Sequence, residues 1–483
     1  MSSAVFALAC SAGTLGPAPE ALIVIDTNLP SPRVISSVRF DVYKSDGTWF
    51  ESRSEDNLTA KNFPLSFSVA GSTSVSTTVM VRIRAFANGA LRNYTGNHFQ
   101  PWPDTVASPQ AGDGLPRLIV GGADVTPLTE PLPELTVDRV VNVTIAPNQH
   151  GRAVVRLDGA CVGHMAELAP AWTSCHAADA MRVREEPATL DADMNRRPTS
   201  MVGSIGQSTC PPAPKGHVAP CVTGGAFILG PSTAGEPAMP KGRAVVVPTF
   251  RMMSTEVTVA QMRTAITADG FHPGDGSMGV GTVPLPPDDP NEACTMTYAP
   301  GPRESFALSC IKYDPARRYC NHYGGDLPTE VEWEFAATSA DRDSKTQYPW
   351  GDTPPKCTDA IFGRASLSGV PGACAQEMGY GPIAIVDDNG LALAAVDTTP
   401  QGILHLAGGL TEWTRDAVAP WDDRCWLDAP TISPSCAPAD ATKKMRLRGG
   451  SWASPNGTLV STTRLEGPQT AANGGVGFRC VFR

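Results

Sequence analysis

Thirteen cysteines are placed so unevenly in these 483 residues that they divide the chain before any other signal is read. Cys10 stands alone, positions 11 to 160 carry none, and twelve follow from Cys161 to Cys480. The first third must therefore be held by a hydrophobic core, while the rest can lean on covalent cross-links. Twelve is an even number, as a disulfide framework requires, and disulfides persist in oxidising compartments. The expected location is extracellular, or the surface or periplasm of a bacterial cell.

The start, Met1 to Cys10, closes on Ala7-Leu8-Ala9-Cys10-Ser11 and resembles the end of a bacterial lipoprotein signal whose cysteine receives the lipid. A lipid anchor at Cys10 is the expectation for residues 1–20. The apolar run is short and lacks a positive n-region, so a truncated start and a chance cysteine are the alternatives. No stretch approaches the ~20 apolar residues needed to span a bilayer. The formal charge of -10 disfavours a nucleic-acid partner, which needs clustered Lys and Arg. Gly and Pro number 46 and 45, which makes for a loop-rich backbone, and the nine Trp need a packed home.

Residues 21–158 read as β-sheet. Ala21 to Ile25, Val34 to Tyr43, Ser66 to Val69, Val79 to Phe86, Leu118 to Gly121, Val137 to Ile145 and Arg152 to Leu157 are short β-branched runs between turn residues. That spacing predicts an all-β sandwich of immunoglobulin-like type, a spacer or adhesive module. Residues 159–221 form a Cys- and Pro-containing connector. Cys161, His164, Cys175 and His176 could be zinc ligands, but their spacing is irregular and disulfides explain the cysteines in a secreted chain. Cys210 to Cys221, CPPAPKGHVAPC, reads as a stapled loop.

The stretch Asp314 to Ala337, DPARRYCNHYGGDLPTEVEWEFAA, predicts two helices. Asp314 is the expected N-cap of the first, with Pro315 in the first turn and Ala316, Tyr319, Cys320 and Tyr323 at i, i+3, i+4 and i+7. Gly324 and Gly325 end it, and Thr329 with Glu332 forms a capping box that opens the second. Glu330, Glu332 and Glu334 read as cap and solvated face. The run GGDLPTEVEWEFAA resembles the signature of the formylglycine-generating enzyme, or sulfatase-modifying factor, family. Further blocks follow in that family's order: Gly224 to Gly230 (GGAFILG), Phe250 to Met262, Tyr348 to Asp352 (YPWGD), Gly402 to Trp413 (GILHLAGGLTEW), Arg446 to Trp452 (RLRGGSW) and Gly477 to Cys480 (GFRC). The resemblance covers 222–483 and implies an irregular α+β fold of the C-type-lectin-like kind.

It also implies a pairing of Cys320 with Cys480. Cys357 with Cys374 and Cys425 with Cys436 are neighbours in sequence, which leaves Cys294 with Cys310. Loops of this length contribute about 3 kcal/mol each on the chain-entropy model. In active members two cysteines after the RGGS block bind copper and activate oxygen, and thiolates are what select Cu(I). Here the matching positions are Ser454 and Leu459. The family's calcium positions are depleted as well: His405 and Gly409 replace side-chain oxygen donors and Ala360 stands where an Asn would bind. Thr411 replaces the Trp that helps floor the family's active site. Glu412 is retained, and reads as a carboxylate satisfying loop amides, with residual calcium the less favoured reading.

The relatives that form carbon–sulfur bonds carry a His-x3-His-x-Glu iron motif, and none of the eight histidines here has that spacing. The expectation is a secreted or surface-anchored binding protein without catalysis, with Trp452, Ser454, Asn456 and Arg464 facing an unnamed protein or glycan ligand. The alternative is a sulfatase-modifying oxidase, or an accessory to sulfatase maturation.

Overall fold

The computed structural model describes residues 18–95, 115–176, 182–230, 243–280, 294–365, 374–386, 396–437 and 443–483. The expectation for Cys10 lies outside them.

Seven strands build the N-terminal part: β1 (Glu20–Thr27), β2 (Ser37–Lys44), β3 (Trp49–Glu55), β4 (Leu65–Ala70), β5 (Thr77–Phe86), β6 (Thr136–Ile145) and β7 (His150–Leu157). They form two sheets, ordered β7-β1-β4 and β6-β5-β2-β3. Ile23 and Ile25 of one sheet share a core with Phe40, Val42, Val81 and Ile83 of the other. On β4 the half-buried Leu65, Phe67 and Val69 alternate with the exposed Ser66, Ser68 and Ala70, the period-two pattern of a strand with one wet face.

The strand order departs from the immunoglobulin arrangement. That fold puts its first, second, fourth and fifth strands in one sheet. Here the first, fourth and seventh lie together and the second, third, fifth and sixth make the other sheet. Two strand assignments also change. Leu118 to Gly121 supplies only the two-residue strand Ile119–Val120, paired with Ala123–Asp124 outside both sheets. Its place among the long strands is taken by β3, whose sequence WFESRSE puts charges on alternate positions and so hides the apolar signal.

In the C-terminal part a hairpin of β9 (Gly225–Leu229) and β10 (Arg243–Val247) follows the short β8 (Cys221–Val222). This hairpin is buried on both faces. Ala226, Ala244 and Val246 pack into the core of the sandwich, whereas Phe227, Leu229, Val245 and Val247 pack against the helix Glu330–Thr338 in the other core. A near-continuous apolar run is the sequence form of such a doubly buried strand. Arg33, in the β1–β2 loop, adds a polar tie: it donates to Ala226 O at 2.9 Å, Ser339 O at 2.5 Å and Arg342 O at 2.7 Å. Ser339 is the C-cap of that helix, where a cation complements the helix dipole.

β11 (Phe250–Met252) leads to α1 (Val259–Thr267), capped by Thr258 and Gln261. α2 spans Tyr313–His322 with Lys312 at its N-cap. Asp314 therefore sits inside the first turn, where it pairs with Arg318 four residues on. A carboxylate favours any site in that turn, so its presence alone did not fix the cap. Gly324 follows in the left-handed region at φ +80°. α3 spans Glu330–Thr338 and is capped by Thr329, whose Oγ1 accepts from Glu332 N at 3.1 Å while Glu332 Oε2 accepts from Thr329 N at 2.7 Å.

The glutamates of α3 are not solvated. Glu330 and Glu334 have no exposed surface and Glu332 is buried. Arg464 binds Glu330 at 2.5 and 2.8 Å, Arg448 and Lys345 bind Glu334, and Arg483 binds Glu332 at 2.6 Å. Burial pushes the Glu334 carboxyl up, but Lys345 and Arg448 outweigh it and hold it below its ordinary value.

The last sheet is ordered β14-β13-β12-β15, from β12 (Thr411–Ala417), β13 (Lys444–Arg448), β14 (Arg464–Pro468) and β15 (Val476–Gly477); β16 (Val481–Phe482) closes on β11. Six disulfides join Cys161 to Cys175, Cys210 to Cys221, Cys294 to Cys310, Cys320 to Cys480, Cys357 to Cys374 and Cys425 to Cys436. The Cys320–Cys480 bond ties the end of α2 to the chain's last turns across 160 positions. Among the described residues no helix is long and apolar enough to cross a membrane.

Two substitutions on α3 separate a local effect from a buried charge. Thr329→Ala removes one cap and costs about 1 kcal/mol. Glu334→Ala takes the carboxylate from Lys345, leaves Arg448 only Glu330 at 3.5 Å, and costs about 3–5 kcal/mol. Urea unfolding of both variants gives the comparison, and equal losses would mean that the Glu334 pairs are not buried as described.

Candidate functional site

The sheet β14-β13-β12-β15 borders an open groove of about 580 Å³, lined among others by Thr411, Leu447, Ser451, Ser454, Leu465 and Asn473. The turn after β13 positions its hydroxyls. Ser451 N donates to Ser454 Oγ at 2.9 Å and the two hydroxyls lie 3.0 Å apart, so Ser454 is held as a hydrogen-bonding group at the rim. Leu459, five residues on, is fully buried with Tyr348, Phe362 and Ala407. The two positions that match the family's copper pair thus end in different places, one at the groove and one in the core.

The four binding residues expected from sequence are not gathered together. Trp452 is buried, and its Nε1 donates to Gly474 O at 2.8 Å. Arg464 borders the groove, but its guanidinium is committed to Glu330 and stacks 3.8 Å from the Trp421 ring centroid. Asn456 is exposed in a short 3-10 turn outside the lining. Only Ser454 offers its side chain there. Asn473 and Ser451 were missed because each belongs to a loop whose approach to β12 and β13 depends on the sheet register, which no local motif encodes.

Glu412 is held by side chains rather than loop amides. It accepts from Trp333 Nε1 at 2.9 Å and from Arg479 Nε at 2.8 and 2.9 Å. The loop amides are served by other carboxylates: Asp397 accepts from Ala407 N and Gly408 N, and Glu256 from Leu410 N at 3.1 Å. Burial and the neighbouring Glu412 raise Glu256 to about 8 against the pull of Arg479, and burial raises Asp397 to about 7. His405, with Nε2 3.2 Å from Ile385 O, is pushed down to about 4 by burial and by Arg479, so it is neutral. Ala360 is buried in an apolar cluster and has no side-chain oxygen to offer. Among the described residues no three His, Cys, Asp or Glu side chains are grouped to hold a metal ion.

A metal-activating thiol pair would need free cysteines, and every cysteine among the described residues is in a disulfide. The zinc reading of the connector loses its thiolates, because Cys161 and Cys175 bond to each other, and His176 lies 2.5 Å from Glu185.

The family model for the sulfatase-modifying factor enzyme 1-like domain matches residues 208–483. The chain belongs to this family. The match begins upstream of Val222 and takes in the Cys210–Cys221 loop. Three relatives show the spread of functions within it. The inactive C-alpha-formylglycine-generating enzyme 2 of Bos taurus is 28% identical over 183 residues, which cover 36% of this chain and 50% of that protein. Hercynine oxygenase of Mycolicibacterium thermoresistibile is 28% identical over 259 residues, 47% of this chain and 50% of that one. The formylglycine-generating enzyme of Streptomyces coelicolor is 26% identical over 184 residues, 37% of this chain and 53% of the other. The chain spans about half the length of these curated relatives.

The buried acids of this family domain make a pH prediction. Glu256 and Asp397 keep protons in the folded chain that the unfolded chain releases, so stability falls as pH rises towards about 8, while His405 opposes this only below 6.5. The urea midpoint should therefore drop between pH 6.5 and 8, and Glu256→Gln should flatten the drop. A midpoint that rises across this window would contradict the assignment.

Proposed function

We propose that this protein is a secreted or surface-held recognition protein whose sulfatase-modifying-factor-like domain presents the Ser451–Ser454 groove to a protein or glycan ligand and performs no oxidation. The observation that carries this reading is the fate of the copper positions. Serine is not a Cu(I) ligand at neutral pH, Leu459 is core, and the described cysteines are spent on disulfides. With Thr411, Ser451, Ser454 and Asn473 in its lining, the groove is polar and open in shape, as a binding surface on a rigid frame requires. The disulfides fit an oxidising compartment. The existence of an inactive relative is consistent with loss of catalysis within the family.

Incubation of a cysteine-containing sulfatase-type peptide with the protein, copper and oxygen tests the reading by mass spectrometry. The expected result is no aldehyde product. Copper-dependent turnover, even slow, would restore the oxidase alternative.

A further inference from the structure

The two sheets of the N-terminal sandwich are unequal, three strands against four, and the shortfall lies beside β4. Phe67 of β4 stacks 4.5 Å from Phe40 of β2, so β4 lies over β2. On its other side β4 pairs with β1. The position beside its free edge is therefore over β3, the outer neighbour of β2.

The side chains of β3 show that nothing occupies that position among the described residues. Glu51, Arg53 and Glu55 pair with Val42, Phe40 and Val38, and opposed residues in an antiparallel pair share a face. They therefore stand on the core side of the sheet, yet Arg53 is 60% exposed and Glu55 is exposed as well. Phe67 and Val69 are likewise only half-buried. A core side that is wet along one strip is a slot.

The other three sheet edges are protected in ways that β4 is not. β7 is bridged by Asp191, which exchanges backbone hydrogen bonds with Arg152. β6 is covered by the connector, through Ala188 N to Asn142 O and Gly163 N to Thr136 O. β3 carries charges on alternate positions. β4, with the sequence LSFSVA, has no charge and no proline and ends its sheet unpaired, the form of edge that accepts an added strand.

We propose that this edge is a docking site for one extended segment of another polypeptide, which adds beside β4 as the fourth strand of its sheet. A second copy does not fit by pairing β4 with β4, because each copy's β3 extends under the slot that the other would need. The incoming strand alternates. Its inward positions combine apolar bulk beside Phe67 and Val69 with Lys or Arg near Glu55, since Glu51 already pairs with Arg53 and the strip keeps a net negative charge.

Selection of displayed random octapeptides on the full chain tests this. The enriched pool should alternate, with Lys or Arg and apolar residues at every second position. Its best member, synthesised with blocked ends, should slow hydrogen exchange at 65–70 and bind at least tenfold more weakly to Val69→Lys, with Ser68→Lys as a second edge variant, both checked for an unchanged melting temperature. Three outcomes overturn the proposal: no enrichment, equal binding to both variants, or slow exchange at the β4 edge before peptide is added, which would mean that the chain itself fills the slot.

Discussion

Three glutamates on nine residues of α3 have to be buried together, and the C-terminal domain is arranged to make that possible. Isolated carboxylates at such sites would lose several kcal/mol of solvation. Arg448 and Arg464 come from β13 and β14 and Arg483 from the end of the domain, so three remote stretches, with Lys345 from the segment after α3, converge on one helix. The same helix supplies Trp333 to Glu412 and Phe335 to the hairpin, where it meets Phe227 with ring centroids 5.4 Å apart. Glu330 and Glu334 each have two cationic partners and Glu332 has one, so the burial of the three carboxylates depends on all of these stretches being in place.

From α3 the order passes to the rest of the molecule through the β9–β10 hairpin. Its alternate residues serve two cores, and Arg33 closes the helix end from the sandwich side. The sandwich is thus packed against the family domain through an apolar face. The groove is bordered by the sheet that Arg448 and Glu412 anchor to α3.

Much of this was legible in the sequence where a local rule decides. Thr329, Thr258 and the apolar periodicities of α2 report themselves because capping and period depend on residues a few positions apart. Two readings failed where the answer is tertiary. Glu330 and Glu334 look like a solvated face on any helical wheel, and only the arrival of Arg448, Arg464 and Lys345 reverses that. β3 was passed over because Glu51, Arg53 and Glu55 break the apolar alternation on the side facing the core, and the immunoglobulin-like order failed because strand spacing does not state which strands pair. At the site, Ser454 and Leu459 were found by motif, but their separation into groove and core comes from packing.

Ser454 and Leu459, at the positions matching the family's copper pair, serve hydrogen bonding and packing. A competition titration of Cu(I) against a chromophoric chelator, on the Cys10→Ser variant to remove the one cysteine outside the disulfides, tests it most directly. No stoichiometric binding by the folded, oxidised protein is expected. One tightly held Cu(I) per chain would contradict it.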